Sequence, residues 1–360
     1  MAHHYLDTYK PEQLLKLSKQ GLFAYSGMTP VYPSKTFPNH ITMVTGKYPN
    51  EHGIVHNSFY HRNIKEVYSL GAGKDNSNWL KAEPIWITAE KQGVKAATYF
   101  WPESEAKYDG KHPSYWFPYH HNTPNKDRLA QVLKWLQMPD QQRPQFISTY
   151  FSTVDSAGHD FGINSEEVKQ AIAEIDSLFA WFYQELDRLN IDINLVLVSD
   201  HGMTDISEKT IALKSLPIDK NIDQIVNGQT QINLYEEDKA LLNETVKALQ
   251  KVANGRFDVF KLGEYPEHWH MNNINAYVPD AIVSLQPPYT IQGKYHGKAT
   301  HGFDAKGKQE LAAIFIATGP DIKLGSIAPF ENVYVHDLLI KLLDLDKQSN
   351  RADIFEQHIK

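Results

Sequence analysis

The sequence predicts an α/β fold: a central, mostly parallel sheet with helices on both faces, and a small subdomain inserted late in the chain. Three observations carry this. Apolar or β-branched runs bounded by Gly, Pro or Asp occur at 94–101, 146–153, 195–199 and 311–317, the pattern of strands buried on both faces. Helical patterns lie between them at 84–92, 125–137, 165–189 and 333–344, and strands alternating with helices build a layered α/β domain. The stretch 225–295 breaks that rhythm. Val226-Asn-Gly228, the run 229–235 and Pro287-Pro288 suggest hairpins around one helix at 238–253.

Ahead of the first predicted strand, Leu14, Leu15 and Leu17 stand at helical spacing in 10–20, and Gly21 is a natural stop. A second helix is expected over 37–45, with Pro38 in the first turn, where a missing N–H costs nothing. Thr36 then sits at a helix N-terminus. At 360 residues and 41% hydrophobic, the chain can bury one large core carrying an insertion. Net charge is -7 with Lys and Arg scattered, so there is no basic stripe to track a polynucleotide. The absence of cysteine removes disulfides, zinc-thiolate sites and a thiol nucleophile, and places any metal on His, Asp, Glu or hydroxyl ligands. No run approaches signal-peptide or membrane-span length, so the expectation for these residues is a soluble, untargeted chain.

Three clusters of metal-ligating residue types follow the run Tyr32-Pro-Ser-Lys-Thr-Phe-Pro-Asn-His40: Asp155-Ser-Ala-Gly-His159, Ser199-Asp-His-Gly202 and Thr300-His-Gly302. Asp200 and His201 directly follow a strand pattern, the place where open α/β sheets bind ligands. Neighbouring strand side chains point to opposite faces, so a shared ion requires the chain to turn, and Gly202 permits that. Asp155 and His159 stand four apart after 146–153 and read as a short ligand loop. Carboxylate plus imidazole suits zinc. His301, beside Gly302, can complete the set. His3, His4, His112, His120, His121, His268 and His270 lack a strand-end context and read as surface or packing residues. Thr36 is a poor nucleophile until a metal on its oxygen deprotonates it. Free N–H groups at its helix start would favour a phosphoryl group. Asn57 is a candidate amide donor to a developing oxyanion.

At these residues the chain resembles the nucleotide pyrophosphatase/phosphodiesterase family of the alkaline phosphatase superfamily. The resemblance rests on PVYPSKTFPNH, TGKYPNEHGIVHN, EPIWITAEKQG, TYFWP, SDHGM, ATHGFD and PFENV, and runs over nearly the whole chain. It implies one alkaline-phosphatase-like catalytic domain over 1–360, with 225–295 inserted, and a two-zinc phosphodiesterase in which Thr36 attacks phosphorus in line and forms a covalent threonyl intermediate. By that resemblance Asp155, His159 and His301 hold one zinc, and Thr36, Asp200 and His201 the other. Asn57 binds a non-bridging phosphate oxygen, Phe37 and Tyr119 sandwich a nucleobase, and Glu105 stands near the base. The partner implied is a nucleotide or another small phosphodiester, and the compartment is periplasmic or otherwise extracytoplasmic.

The family pattern also begins with a buried strand ending in an aspartate that completes the second zinc site. Here Asp7 follows no apolar strand and is not assigned that role. Asp155 and Asp200 then supply -2 against the +4 of two divalent ions, and the neighbours of a central strand are left with unpaired backbone groups, at about 1 to 3 kcal/mol each where buried. Two alternatives stay open: a lysophospholipid or choline-type phosphodiesterase, and an impaired relative that only binds nucleotide. A sulfatase is disfavoured, since no cysteine can mature into its nucleophile.

Overall fold

The structure, a computed structural model, describes residues 1–208, 210–293, 297–346 and 349–360, so 294–295 of the expected insertion lie outside the described residues. Helix Glu12–Gln20 buries Leu14 and Leu17 and stops at Gly21. A Cβ at Gly21 would collide with the Ala317 carbonyl, so glycine lets the chain cross a strand closely there. A short helix, Tyr5–Tyr9, precedes it and carries Asp7.

The expected strands form with shorter spans, and the one expected at 311–317 lies at Phe315–Thr318. Tyr115–Phe117, Ala96–Tyr99 and Phe146–Thr149 make a three-stranded parallel sheet in that order. A four-stranded sheet has the order Gly325–Ile327, Leu22–Ala24, Phe315–Thr318, Leu195–Val198, with its first pair parallel and the next two antiparallel. Helices Asn125–Leu136 and Glu166–Leu189 pack together as one layer, and Thr36–Thr45 packs with Val335–Leu342 in another. Each long helix buries an apolar stripe; Val168, Ile172, Ile175, Phe179, Phe182 and Leu186 of Glu166–Leu189 recur at three- and four-residue steps.

The run 146–153 is not, as its composition suggests, one strand with a ligand loop after it: the strand ends at Thr149 and helix Thr153–Phe161 begins almost at once. Aromatic and β-branched residues continue through the bend, so local propensity gives no sign of the change. Residues 225–295 hold an antiparallel sheet of order Phe257–Lys261, Ala281–Leu285, Gln231–Tyr235, Gln224–Asn227. Helix Lys239–Val252 covers it through Leu242, Val246 and Leu249, and Asp238 caps that helix by accepting from the amides of Ala240 and Leu241.

Between Phe146–Thr149 and Leu195–Val198 no ladder forms among the described residues. The two strands line a slot of about 920 Å³, walled also by Ile175 and Phe179 of one helical layer and Met43, Val44 and Leu339 of the other. Leu195–Val198 is only half-buried at every residue, although Leu-Val-Leu-Val is core composition. Asp155, Asp200 and Met1 also line the slot. The Met1 amine donates to the His201 carbonyl at 3.3 Å, and the Ser199 hydroxyl donates to the Met1 carbonyl at 2.6 Å. Among the described residues, strands Phe146–Thr149 and Leu195–Val198 face each other across the slot without pairing. Joining a short valine-rich segment ahead of Met1 is expected to raise the thermal midpoint by several degrees over a Gly-Ser segment of equal length, and to slow amide exchange in 146–149 and 195–198. Equal melting and exchange for the two fusions would contradict a strand-accepting slot.

Candidate active site

The sequence-predicted ligands arrive from three elements. Asp155 and His159 lie one turn apart on helix Thr153–Phe161, so both project from one face. Gly158 between them packs so closely on Met203 that a Cβ would strike its sulfur. Asp200 and His201 follow Leu195–Val198. The chain does turn there, for a steric reason: a Cβ at Gly202 would collide with the Glu310 carbonyl. His301 follows the two-residue strand Ala299–Thr300, paired with Thr204–Asp205. Gly302 has φ 105° and meets the stem of Lys35.

These side chains converge. His301 Nε2 is 3.1 Å from His159 Nε2 and 3.7 Å from Asp155 Oδ1, and His159 Nε2 is 3.6 Å from Asp155 Oδ2. The His201 and His301 rings stack at 3.6 Å. His201 Nε2 is 2.9 Å from Asp200 Oδ2 without hydrogen-bond geometry. Asp155, His201 and His301 each offer a ligand atom within 4.8 Å of the other two. That closest group crosses the two-site division which the resemblance implies.

The donor chemistry fits a cation. Each imidazole places Nδ1 at a backbone carbonyl: His159 at Ala299, 2.9 Å; His301 at Ser34, 2.8 Å; His201 at Gly202, 2.8 Å. With Nδ1 protonated, every Nε2 presents a lone pair. Two lone pairs opposed at 3.1 Å repel, and a cation between them converts that to attraction. Asp155 Oδ1 and His201 Nε2 are buried without hydrogen-bond partners among the described residues. Burial, then His201, Lys35 and His159, hold the His301 pKa well below its ordinary value, keeping that lone pair free. Burial pushes the Asp200 carboxyl up, but His201 and His40 outweigh it and hold it below the usual carboxylate range.

Thr36 begins helix Thr36–Thr45, as expected. Contacts on either side tie it to the cluster. His40, one turn on, sets Nδ1 2.8 Å from the Thr36 carbonyl and 3.4 Å from Asp200. Ser34 holds His301 through its carbonyl, accepts from the Gly302 amide at 2.9 Å, and donates to the Phe303 carbonyl at 2.8 Å. Asn39 donates to the carbonyls of Pro33 and Lys35. None of the three stands out in the sequence by residue type. His40 carries the one visible signal, an i,i+4 relation to Thr36 on a predicted helix. Lys35 is buried, and burial lowers its ammonium to about 8.

Asn57 Oδ1 accepts the Phe37 amide at 3.0 Å, which uses an N–H expected to be free for an anion, and Pro38 offers none. Among the described residues the Asn57 side-chain nitrogen makes no hydrogen bond and is the donor left over. Phe37 is 6% exposed, with Tyr68 edge-on at 6.2 Å. Tyr119 is 38% exposed, packs on Phe100 at 4.3 Å and donates its amide to Glu105 at 2.7 Å. Of the histidines set aside, His268 pairs with Asp304, His270 stacks on Tyr48, His112 on Trp116 and His3 on Phe23.

Fold and site define an α/β protein with a histidine-carboxylate cluster at its strand ends, able to hold a divalent metal beside a helix-borne threonine. The chain belongs to the type I phosphodiesterase / nucleotide pyrophosphatase family, whose family model matches residues 1–304. It is 34% identical over 352 residues to human ectonucleotide pyrophosphatase/phosphodiesterase family member 1, covering 94% of this chain and 38% of that one. It is 34% identical over 362 residues to venom phosphodiesterase of Naja atra, covering 96% and 43%. The chain therefore spans about two fifths of the length of these relatives. Murine ectonucleotide pyrophosphatase / phosphodiesterase 5 superposes with TM-score 0.89 at 25% identity, covering 100% of this chain and 97% of that one, and an inactive form of it has been solved in complex with AMP.

Zinc at about a hundred times its dissociation constant is expected to stabilise the wild-type chain by roughly 2.7 kcal/mol. His301→Ala and Asp155→Asn should lose most of that gain in a thermal melt with and without metal. An undiminished gain in both variants would remove this cluster as the zinc site.

Proposed function

We propose that this chain hydrolyses phosphodiester or pyrophosphate bonds of nucleotides, releasing nucleoside 5'-monophosphates through a covalent threonyl intermediate. The observation that carries the reading is the convergence of three carbonyl-anchored imidazoles and two carboxylates beside the N-terminus of the helix that bears Thr36. Asp155, His159 and His301 would hold one zinc ion and Thr36, Asp200 and His201 a second. Bound there, the ions supply Lewis-acid stabilisation of developing charge and a lowered pKa for the threonine hydroxyl.

The chain's own residues do the rest. Helix Thr36–Thr45 is stapled at its start by Asn39, so Thr36 is presented in a fixed orientation, which is where much of the advantage of an enclosed nucleophile arises. Attack of Thr36 Oγ on phosphorus breaks the bond to the leaving oxygen, and water then cleaves the Thr36–phosphorus link to restore the hydroxyl. Asn57, its oxygen held by the Phe37 amide, is left with N–H donors for a non-bridging phosphate oxygen. Phe37 and Tyr119 would take the nucleobase between them. Stacking contributes about 1 to 3 kcal/mol per base with little dependence on which base. We place the catalytic unit over 1–360 with 225–295 as its insertion, and its action outside the cytoplasm. Relatives named venom phosphodiesterase support that location, and no helix among the described residues is long and apolar enough to cross a membrane.

Release of p-nitrophenol from the p-nitrophenyl ester of thymidine 5'-monophosphate tests the reading. Thr36→Ala is expected to lose at least about a thousandfold in kcat/KM while keeping the part of the zinc-dependent rise in melting temperature that comes from the Asp155, His159 and His301 site. Wild-type turnover in that variant would exclude Thr36 as nucleophile. Faster turnover of a lysophospholipid than of a dinucleotide would favour the lipid-directed alternative.

A further inference from the structure

The turn after strand Ala96–Tyr99 contains two non-glycine residues with left-handed backbone, Phe100 at φ 48° and Glu103 at φ 65°. Such conformations are uncommon outside glycine and persist only where the surroundings over-determine them. Here the surroundings do so. The Trp101 amide donates to Ser104 Oγ at 3.0 Å, the Ser104 amide returns to the Trp101 carbonyl at 2.8 Å, and the Trp101 indole N–H donates to the His40 carbonyl at 3.1 Å. The turn is thereby bolted to the helix that carries Thr36.

Two side chains leave this turn in different directions. Phe100 lies under Tyr119, 4.3 Å between centroids, and edge-on to Tyr150 at 5.7 Å. Glu103, 2% exposed, accepts a hydrogen bond from the Tyr68 hydroxyl. Tyr68 in turn sets its ring edge-on to Phe37 and stacks on Phe59 at 4.9 Å. A single turn thus reaches both aromatic residues assigned to the base.

We propose that Glu103 is the positioning residue of the nucleobase clamp, holding Tyr68 behind Phe37 on one wall and locking the turn that supports Tyr119 on the other. This rests on the nucleotide reading of the site above. The Tyr68 phenol, the amides of Gly71 and Gly73 and the carboxylate of Glu105 act on the carboxyl, and its Oε2 is buried without a hydrogen-bond partner among the described residues. Gly73 lies so close that a Cβ would strike Glu103 Oε2, so the loop over it closes on the acid itself. Burial, against the Tyr68 hydrogen bond, raises the Glu103 pKa from 4.5 to about 7. Between those values the closed arrangement keeps a proton that an opened, solvated carboxyl releases. Closure therefore weakens as pH rises through that window and changes no further above it.

The test compares two esters across pH 5 to 8: p-nitrophenyl thymidine 5'-monophosphate, which needs the clamp, and methyl p-nitrophenyl phosphate, which has no base. The ratio of their KM values cancels titration at the metal cluster. Glu103→Ala is expected to raise the nucleotidyl KM about tenfold, with kcat and the methyl-ester KM unchanged. Glu103→Gln, neutral at every pH and able to bond Tyr68, should restore the low ratio and abolish its rise with pH. Parallel losses for both esters in Glu103→Ala, or a pH-dependent ratio surviving in Glu103→Gln, would overturn the role of Glu103 alone. Equal KM for the two esters in the wild-type chain would overturn the clamp reading itself.

Discussion

The candidate site depends on where three imidazole N–H groups go. Because His159, His201 and His301 each spend Nδ1 on a main-chain carbonyl, their Nε2 atoms are aimed by the backbone rather than by side-chain preference. The acceptor for His159 is Ala299, in the two-residue ladder Ala299–Thr300 with Thr204–Asp205. The acceptor for His301 is Ser34, two residues before Thr36. The direction of His301 and the position of Thr36 are therefore set by the same loop; glycine at 302 lets the His301 segment approach Lys35 of that loop, while glycine at 202 packs on the Glu310 carbonyl.

Residues 225–295 share this work. Tyr32, at the start of the loop that leads to Thr36, donates to Ser284 Oγ at 3.2 Å and lies flat on Trp269, 3.6 Å away at 3°. His56, next to Asn57, accepts the Ser58 amide at 3.0 Å while Gly228 presses against its ring. Both the loop that presents Thr36 and the loop that presents Asn57 thus rest on residues 225–295. A surface decoration could be lost without disturbing them; a buttress of this kind could not.

Legibility in the sequence followed physical scale. Leu195–Val198 and Phe146–Thr149 were readable because a buried strand needs an apolar run whatever surrounds it, and Asp200 and His201 were placed by their position at its end. Glu166–Leu189 was readable because 24 residues display the helical period many times over. Leu22–Ala24 and Gly325–Ile327, three residues each, are too short to show any period and exist only through their pairing at the margin of the sheet, with one another and, for Leu22–Ala24, with Phe315–Thr318. Asp155 and His159 read as partners on a loop although they lie on a helix, since a spacing of four serves a loop and a helix turn equally. Ser34, His40 and Glu103 act through contacts with residues distant in sequence or through an unusual backbone angle. Neither leaves a trace in composition.

One hydrogen bond joins the residue after Thr36 to the loop of Asn57: the Phe37 amide donates to Asn57 Oδ1. An aspartate at position 57 could accept the same bond, so the chain would fold alike, but it would carry a negative charge and no N–H. The two ends of a single carboxamide thus have separate duties, the oxygen serving the architecture and the nitrogen free to serve an incoming oxyanion in the proposed reaction.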